Sequence, residues 1–563
     1  MKKIVVIGGS AAGAKAAAKA RRLDYQAEIT VIQKDPDLSM AACGYPYYIG
    51  GVFNDRNMLL ATPAGVVRDA QFFSKVKNIK ALTETEAVGI DRAGRTVRVR
   101  DLKTAKEESL DYDRLIIATG ARARPLAIPG TDLDGVCNLL SMADADYLRK
   151  MRDGKKVKQA VVIGGGLIGV ETCEALVRSG IAVTLLEMTP HILPFLDQQL
   201  AMLVENHMRS RKVQVLIDCK VDAILGEKGK VTGIRLADAS LLSCDLVVVA
   251  VGVIPNSQLA QAAGIALGET GGVMVNAFMQ TSDPDIYAAG DCVEVENLIT
   301  GRKVLAPMGD LANLQGRVAG ENAVSGNAVT FKGVVQTGIC KVFDFAAGLT
   351  GLSEKAAHRA GIGGFETIIS AGADKPGFMG ANMLVSKILV EKKSLRILGY
   401  QCVGSGDVSR QLATAAMAVQ GKITLDDLCC ADLPYAPPFS PAIDPFIVSA
   451  HIMQNKLKGR IRTISAAEVL AMTKTDNPPF LLDGRGPDEY EQLRLGIGEK
   501  YIPLGALRAK LSELPQDKEQ AIICFCKISM RGYEAALILE ANGWKNVRVL
   551  EGGIAAWPYP RAK

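Results

Sequence analysis

Short aliphatic runs alternate with glycine turns and amphipathic stretches, and this pattern sets most of the predicted elements. Lys3–Ile7 runs straight into Gly8 and Gly9, and an alanine-rich stretch with basic residues follows to Leu23. That is a strand, a tight turn and a helix. Glu28–Ile32 supplies the next strand. The same grammar returns at Gln159: an aliphatic strand, three glycines at 164–166, a helix to about Ser179 and a strand ending at Glu187. Two such units imply two nucleotide folds. Tyr112–Pro125 and Cys244–Asn256 each read as a buried strand ending in a glycine turn and a proline, and Thr281–Glu294 carries another ending on Gly290-Asp291. Thr330–Ala450 is mixed α/β sequence without a glycine fingerprint. The basic stretch Lys456–Arg462 reads as a linker. Beyond it, strands at Phe480–Asp483, Ala521–Cys526 and Asn546–Leu550 with helices between them form an independent α/β unit.

A chain of 563 residues is long enough for roughly three to four domains. Glycine is a tenth of it, 56 residues, against a usual ~7%. With aromatic content of only 5%, this suits parallel-sheet nucleotide domains. The net charge of +6 is small and no basic run alternates with aromatics, so nucleic-acid binding is not expected. No apolar run reaches the ~18 residues of a membrane span, and the first strand is not a signal segment. The expected location is the cytoplasm. Twelve cysteines lack zinc spacing and the four histidines do not cluster, so no metal site is expected.

The first glycine turn is Gly8-Gly9-Ser10-Ala11-Ala12-Gly13, with Ser10 in place of the middle glycine. A pyrophosphate would sit at the helix N-terminus, where free N–H groups and the dipole point. Gln33 stands where an acid usually holds the ribose, with Lys34 beside it. The second turn is complete: Gly164, Gly166 and Gly169, with Leu167 and Ile168 opening the helix. Glu187 lies near the expected ~20-residue offset for a ribose acid. Its carboxylate accepts from a 2′-hydroxyl and repels a 2′-phosphate, which favours NADH over NADPH.

Shortly after the second strand of the first fold lies Ser39-Met-Ala-Ala-Cys43-Gly-Tyr-Pro-Tyr-Tyr48. With the Ala118-Thr119-Gly120 and Ala288–Asp291 motifs, this segment resembles the flavoprotein disulfide reductases over residues 1 to about 450. The resemblance implies FAD in the first fold and NAD(P)H in the second. It places Ser39, Thr119, Gly120, Gly252, Asp291 and Ala312 around the cofactors, Asp291 at the flavin ribitol. The dithiol branch has a second cysteine where this chain has Tyr48, so Cys43 would be a single redox thiol. The coenzyme A-disulfide reductases are the most similar branch, sharing the segment Tyr435-Ala-Pro-Pro-Phe439. Their two substrate-side tyrosines align with Lys375 and Phe439, which removes the family's proton donors, and Lys375 would supply a cation instead. Arg22, beside Lys19 and Arg21, is the candidate contact for coenzyme A phosphates.

The last hundred residues resemble a rhodanese domain, through Leu481–Arg485, the Pro503–Leu507 turn, Cys526–Arg531 and Glu551–Trp557. A cysteine between strand and helix faces loop N–H groups and the helix dipole, which stabilise a persulfide anion. Cys526 is its candidate carrier and Arg531 adds a positive charge. Cys524 is an alternative resolving thiol. The expected fold class is α/β: two doubly wound dinucleotide-binding domains (FAD, 1–150 and 246–326; NADH, 151–245), an α+β dimerisation domain (327–452) and a rhodanese-like α/β domain (460–563). The expected activity is FAD- and NADH-dependent reduction of sulfur–sulfur bonds in a homodimer. The acceptor would be a small persulfide or polysulfide, with coenzyme A a candidate carrier. Alternatives are a coenzyme A-disulfide reductase, an NADH oxidase, or a sulfane-sulfur binding or sensing flavoprotein. Catalytic candidates are Cys43, Cys526, Arg531, Lys375 and Tyr435.

Overall fold

The computed structural model describes residues 1–562 and divides into two units, residues 1–188 with 219–334, and residues 189–218 with 335 onward. The first unit contains β1 (Lys3–Ile7), α1 (Ala11–Leu23), β2 (Glu28–Ile32), β3 (Lys80–Leu82), β4 (Arg114–Ile117) and β5 (Val136–Cys137). It continues with β6 (Gln159–Ile163), α2 (Leu167–Arg178), β7 (Ala182–Leu186), β8 (Leu246–Val249), β9 (Ile286–Ala288) and α3 (Gly309–Ser325). One parallel sheet has the order β9-β4-β1-β2-β3. Its central strands are covered on both faces, hence their unbroken aliphatic sequence. In the second sheet β7, β6, β8 and β5 lie side by side, also parallel.

The second sheet overruns the expected 151–245 boundaries. Leu246–Val249, assigned by sequence to the first domain, pairs with β6 on one side and with Val136–Cys137, likewise so assigned, on the other. Which sheet a short apolar strand joins is a long-range choice that its own residues do not specify. Helix α3 explains why its sequence carries so many small residues. A Cβ on Gly316 would stand 2.2 Å from the Ala12 carbonyl oxygen, and one on Gly320 would stand 2.3 Å from that of Ala16. The backbones of α1 and α3 therefore touch directly.

The second unit opens with an antiparallel sheet of β10 (Gly338–Val342), β11 (Phe345–Gly351), β12 (Phe365–Ala373), β13 (Met383–Glu391) and β14 (Ile397–Gly404), in the order β10-β11-β14-β13-β12. Helices α4 (Val408–Gln420) and α5 (Pro445–Leu457) pack on it. A parallel sheet follows, of β15 (Thr463–Ile464), β16 (Phe480–Asp483), β17 (Lys500–Tyr501), β18 (Ile522–Phe525) and β19 (Val547–Leu550). Helices α6 (Pro487–Gln492) and α7 (Met530–Ala541) flank it. Strand β18 alternates faces: Ile522 and Cys524 enter one core cluster, Ile523 and Phe525 the other.

The expected linker is not a free tether. Lys456 belongs to α5, and its ammonium donates to the Thr367 carbonyl at 2.8 Å and pairs with Glu366 and Glu551, each at 3.1 Å. Glu551 also accepts from Thr463 Oγ1 at 2.7 Å and from the Ile369 N–H of β12 at 3.2 Å. Asn206 and Gln199 donate to the carbonyls of Pro558 and Ala556. The C-terminal α/β unit is thus fastened to the antiparallel sheet, because the basic residue that reads as solvated is used as an internal bridge. Glu551→Ala orphans the buried Ile369 amide and takes one of three partners from the Lys456 ammonium, and should cost about 2 kcal/mol. Chemical denaturation read by Trp544 and Trp557 fluorescence measures it, and an unchanged midpoint would contradict the joint. Among the described residues, no helix is long and apolar enough to cross a membrane.

Candidate redox and sulfur-transfer sites

The two glycine turns are built alike. Gly8 has φ +103° and Gly164 φ +110°. A Cβ on Gly8 would lie 2.0 Å from the Ala118 oxygen, and one on Gly164 would lie 2.4 Å from that of Ala250. Gly13 and Gly169 pack equally tightly on the Gly8 and Gly164 carbonyls. Ser10 and Gly166 occupy the N-cap positions of α1 and α2, and neither helix has a side-chain cap. The amides around Ala11, Leu167 and Ile168 are left for an outside acceptor. Nothing lies within 4 Å of a Cβ placed on Gly166, Gly120 or Gly252. Uncapped amides over an open glycine cradle fit a dinucleotide pyrophosphate.

Gln33 is held against its own glycine turn. It is buried, its Oε1 accepts from the Gly9 N–H at 2.7 Å, and its Nε2 faces Asp35 at 3.3 Å. It braces the turn at the position expected to meet a ribose. Glu187 makes the matching bond in the second fold, Oε2 accepting from Gly165 N–H at 2.7 Å. Lys34 pairs with Glu86 at 2.8 Å on the surface. Ser39 is in the left-handed region and donates its N–H to the Gly9 carbonyl at 2.8 Å.

Two residues missed in the sequence organise the rest of this face. Asn256 donates to the Thr119 carbonyl at 3.0 Å, while Thr119 Oγ1 donates back to the Asn256 carbonyl at 2.6 Å. Gln315 accepts from Gly290 N–H at 2.8 Å, fixing the turn that carries Asp291. Burial pushes the Asp291 carboxyl up to about 6, so at neutral pH it is still mainly the carboxylate, able to accept from a hydroxyl. Ala312 is buried in the first turn of α3.

Cys43 lies in a short turn, Ala42–Gly44, and is exposed. A Cβ on Gly309, the first residue of α3, would stand 3.7 Å from its sulfur. The thiol is therefore at the start of a 17-residue helix, a position that ordinarily favours a thiolate. Here other effects win. Although the residue is exposed at the surface, partial desolvation of its sulfur, then the carboxylates of Glu171, Asp291 and Asp310, hold its pKa above the ordinary thiol range. Thiolate alkylation at Cys43 should accordingly rise with pH through a midpoint above that range. Asp310→Asn removes one of the negative charges and should move the midpoint down, as peptide mass spectrometry after iodoacetamide pulses would show. Tyr48, where a second thiol would stand, donates to Asp146 at 3.2 Å.

Of the three basic residues near the end of α1, two are used internally. Arg21 donates to the carbonyls of Asp24, Tyr25 and Asn78, and Lys19 pairs with Glu321 at 2.9 Å. Arg22 is exposed. In the second unit Lys375 is half-buried on the hairpin between β12 and β13, and Tyr435 and Phe439 are exposed on the segment before α5.

Cys526 follows β18 and is 1% exposed. Its carbonyl accepts from Ile554 N–H at 3.1 Å, and a Cβ on Gly553 would lie 2.4 Å from that oxygen. The Glu551–Trp557 segment therefore cradles the cysteine loop. Ser529 closes the loop at φ +69°, a conformation that favours glycine, and its hydroxyl donates to the Leu550 carbonyl. Arg531 acts on the Cys526 sulfur and is gripped by both oxygens of Glu489, at 2.7 and 2.9 Å. The Asp483–Arg485 pair is fully buried beneath. Cys524 is no resolving thiol. It is buried in the core with Leu482 and Leu539, and burial pushes its pKa far up.

Residues 2–308 match the pyridine nucleotide-disulphide oxidoreductase family, residues 337–447 the dimerisation domain of the same family and residues 465–558 the rhodanese-like domain. The chain is 34% identical over 454 residues to the NAD(P)H coenzyme A polysulfide/persulfide reductase of Pyrococcus horikoshii, covering 80% of this chain and 98% of the relative. The structure of a NAD-dependent persulfide reductase from A. fulgidus superposes with a TM-score of 0.93 at 41% identity, over 99% of this chain and 100% of that one. Reduced CoADR-RHD of Bacillus anthracis gives 0.90 at 35% identity, over 99% and 97%. With its two dinucleotide folds, its dimerisation sheet and its fastened C-terminal unit all accounted for, this chain belongs to the pyridine nucleotide-disulphide oxidoreductases and carries a rhodanese-like domain.

Proposed function

We propose that the chain is an NADH-dependent flavoenzyme that reduces sulfane sulfur, as persulfide or polysulfide on coenzyme A or another small thiol. The observation that carries this reading is one exposed thiol, Cys43, at the foot of α3, with Tyr48 in place of a second thiol. Both relatives with persulfide in their names agree in chemistry. The α1 amides with Gly8, Ser10, Ala11 and Gly13 would hold the FAD pyrophosphate, with Thr119, Gly120, Asp291 and Ala312 along the rest of the cofactor. The α2 amides with Gly164, Gly166 and Gly169 would hold NADH. The chemistry these groups would supply when bound is an electron pair: with two electrons and two protons the sulfur–sulfur bond of a Cys43 persulfide breaks, hydrogen sulfide leaves and the thiol is restored. Cys43 itself attacks the outer sulfur of the substrate, and the carrier thiolate leaves. Lys375 and Tyr435 stand on the dimerisation domain, whose exposed apolar side chains Phe378, Met417, Phe439 and Ile443 suit a homodimer contact. The cytoplasm suits such thiol chemistry.

Stopped-flow NADH consumption with coenzyme A persulfide, polysulfide, coenzyme A disulfide and oxygen tests this reading. Faster turnover on the disulfide or on oxygen would replace it with a coenzyme A-disulfide reductase or an NADH oxidase. No turnover on any of them would leave a sulfur-binding or sensing protein. With Glu187 taken as the ribose acid, kcat/KM should favour NADH over NADPH by about tenfold, 1.4 kcal/mol. Glu187→Ala should narrow the gap, and equal values in the unaltered protein would refute that role.

A further inference from the structure

We infer that Glu489 sets the donor specificity of the Cys526 site: by occupying the Arg531 fork it selects sulfur donors without a second anionic group and rejects dianions such as thiosulfate. This rests on the reading of Cys526 as the sulfur-accepting thiol. The guanidinium of Arg531 is the cation that acts on the Cys526 sulfur, and both of its terminal nitrogens donate to Glu489. The end-on fork of a guanidinium, its two terminal nitrogens, holds one bidentate oxyanion. The resident carboxylate fills the fork that a sulfonate oxygen pair would take. Glu489 is itself placed firmly, since its Oε2 also accepts from Gly486 N–H at 3.2 Å and its backbone carbonyl accepts from Arg485 Nη1 at 2.8 Å.

The other nearby charges do not make up the loss. Arg485 is buried against Asp483, and its remaining donors go to the carbonyls of Glu489 and Leu493. Glu551, behind the loop, is tied to Lys456. Lys527 is exposed at the loop surface. Arg531 and Arg485 are thus each matched by a carboxylate, and Lys527 is the cation that remains exposed beside the Cys526 loop. With thiosulfate, the Cys526 thiolate forms a bond to the sulfane sulfur and the bond to the sulfite sulfur breaks. Sulfite leaves with the electron pair, so a dianion must both enter and depart. With a protonated thiol persulfide, the same attack transfers the outer sulfur with its hydrogen and expels one thiolate. The first course needs a free cationic fork and the second does not.

Sulfur transfer to cyanide by the full-length protein, with thiosulfate and with the persulfide of 2-mercaptoethanol, which has no other ionisable group, as donors, tests the inference. Glu489→Gln, nearly isosteric, should raise kcat/KM for thiosulfate roughly tenfold and leave the persulfide value within about twofold, as expected from loss of a charge-assisted pair. Its thiosulfate rate should also fall more steeply with salt. Glu489→Asp keeps the charge and should hold the donor ratio near that of the unaltered protein. An unchanged ratio in Glu489→Gln, or a parallel fall with both donors, would overturn the role and leave Glu489 a structural brace. Full transfer by Cys526→Ala would instead remove the underlying reading, whatever Glu489 does.

Discussion

Cys43→Ser should abolish NADH-driven reduction of persulfide and polysulfide, by at least about a thousandfold, the scale seen when a nucleophile is removed. A hydroxyl at this position does not ionise near neutrality and cannot form the sulfur–sulfur bond that begins the reaction. No neighbour can take over, since Tyr48 fills the place of a second thiol and its hydroxyl is engaged with Asp146. Cys292 is fully buried. The cofactor cradle should survive, because Cys43 sits in an exposed turn and makes no contact that shapes the glycine turns. Bleaching of the flavin absorbance by NADH should therefore persist in the variant while multiple turnover on sulfur substrates stops. Sulfur reduction at the unaltered rate would show that Cys43 is not the redox thiol. Loss of flavin would shift its role to structure.

The nucleotide folds were legible because the constraints on them are local. Gly8 and Gly164 answer a positive φ and a carbonyl pressed against the Cα, and no other residue type meets both demands. The cysteine loop was legible for a similar reason, since Cys526 and the Glu551–Trp557 cradle are short segments. What sequence could not show depends on distant partners. Gln33 and Glu187 looked like opposite cases, one lacking the acid and one having it, yet both accept from a glycine N–H of their own turn. Asn256 and Gln315 carry no local signature, and each is defined only by the backbone group it meets. Charge misled at Lys456, which is drawn inward by two carboxylates far along the chain. Glu489 passes for an ordinary surface acid in α6 until Arg531 is seen in its grip.

Cys526→Ala should remove sulfur transfer from persulfide donors to an acceptor thiol or cyanide, again by about a thousandfold or more, while sparing NADH-driven reduction of small soluble persulfides. Long-chain polysulfide or protein-bound sulfur should be reduced about tenfold more slowly, because those donors need a site that first excises one sulfur. Removal of the domain before Arg460 is the less informative experiment. It would strip Glu551 from Lys456 and from the Ile369 N–H, and it would uncover the edge of β12. A lost activity would then report damage to the sheet as readily as loss of the cysteine. The point variant leaves that joint in place, for Cys526 is held through its backbone carbonyl and only its sulfur is deleted. Its thermal stability should stay within about 1 kcal/mol of the unaltered protein, as for loss of one small buried group. If Cys526→Ala matches the unaltered protein on every donor class, the rhodanese-like domain takes no part in turnover. Residues 1 to about 450 would then carry the reaction alone.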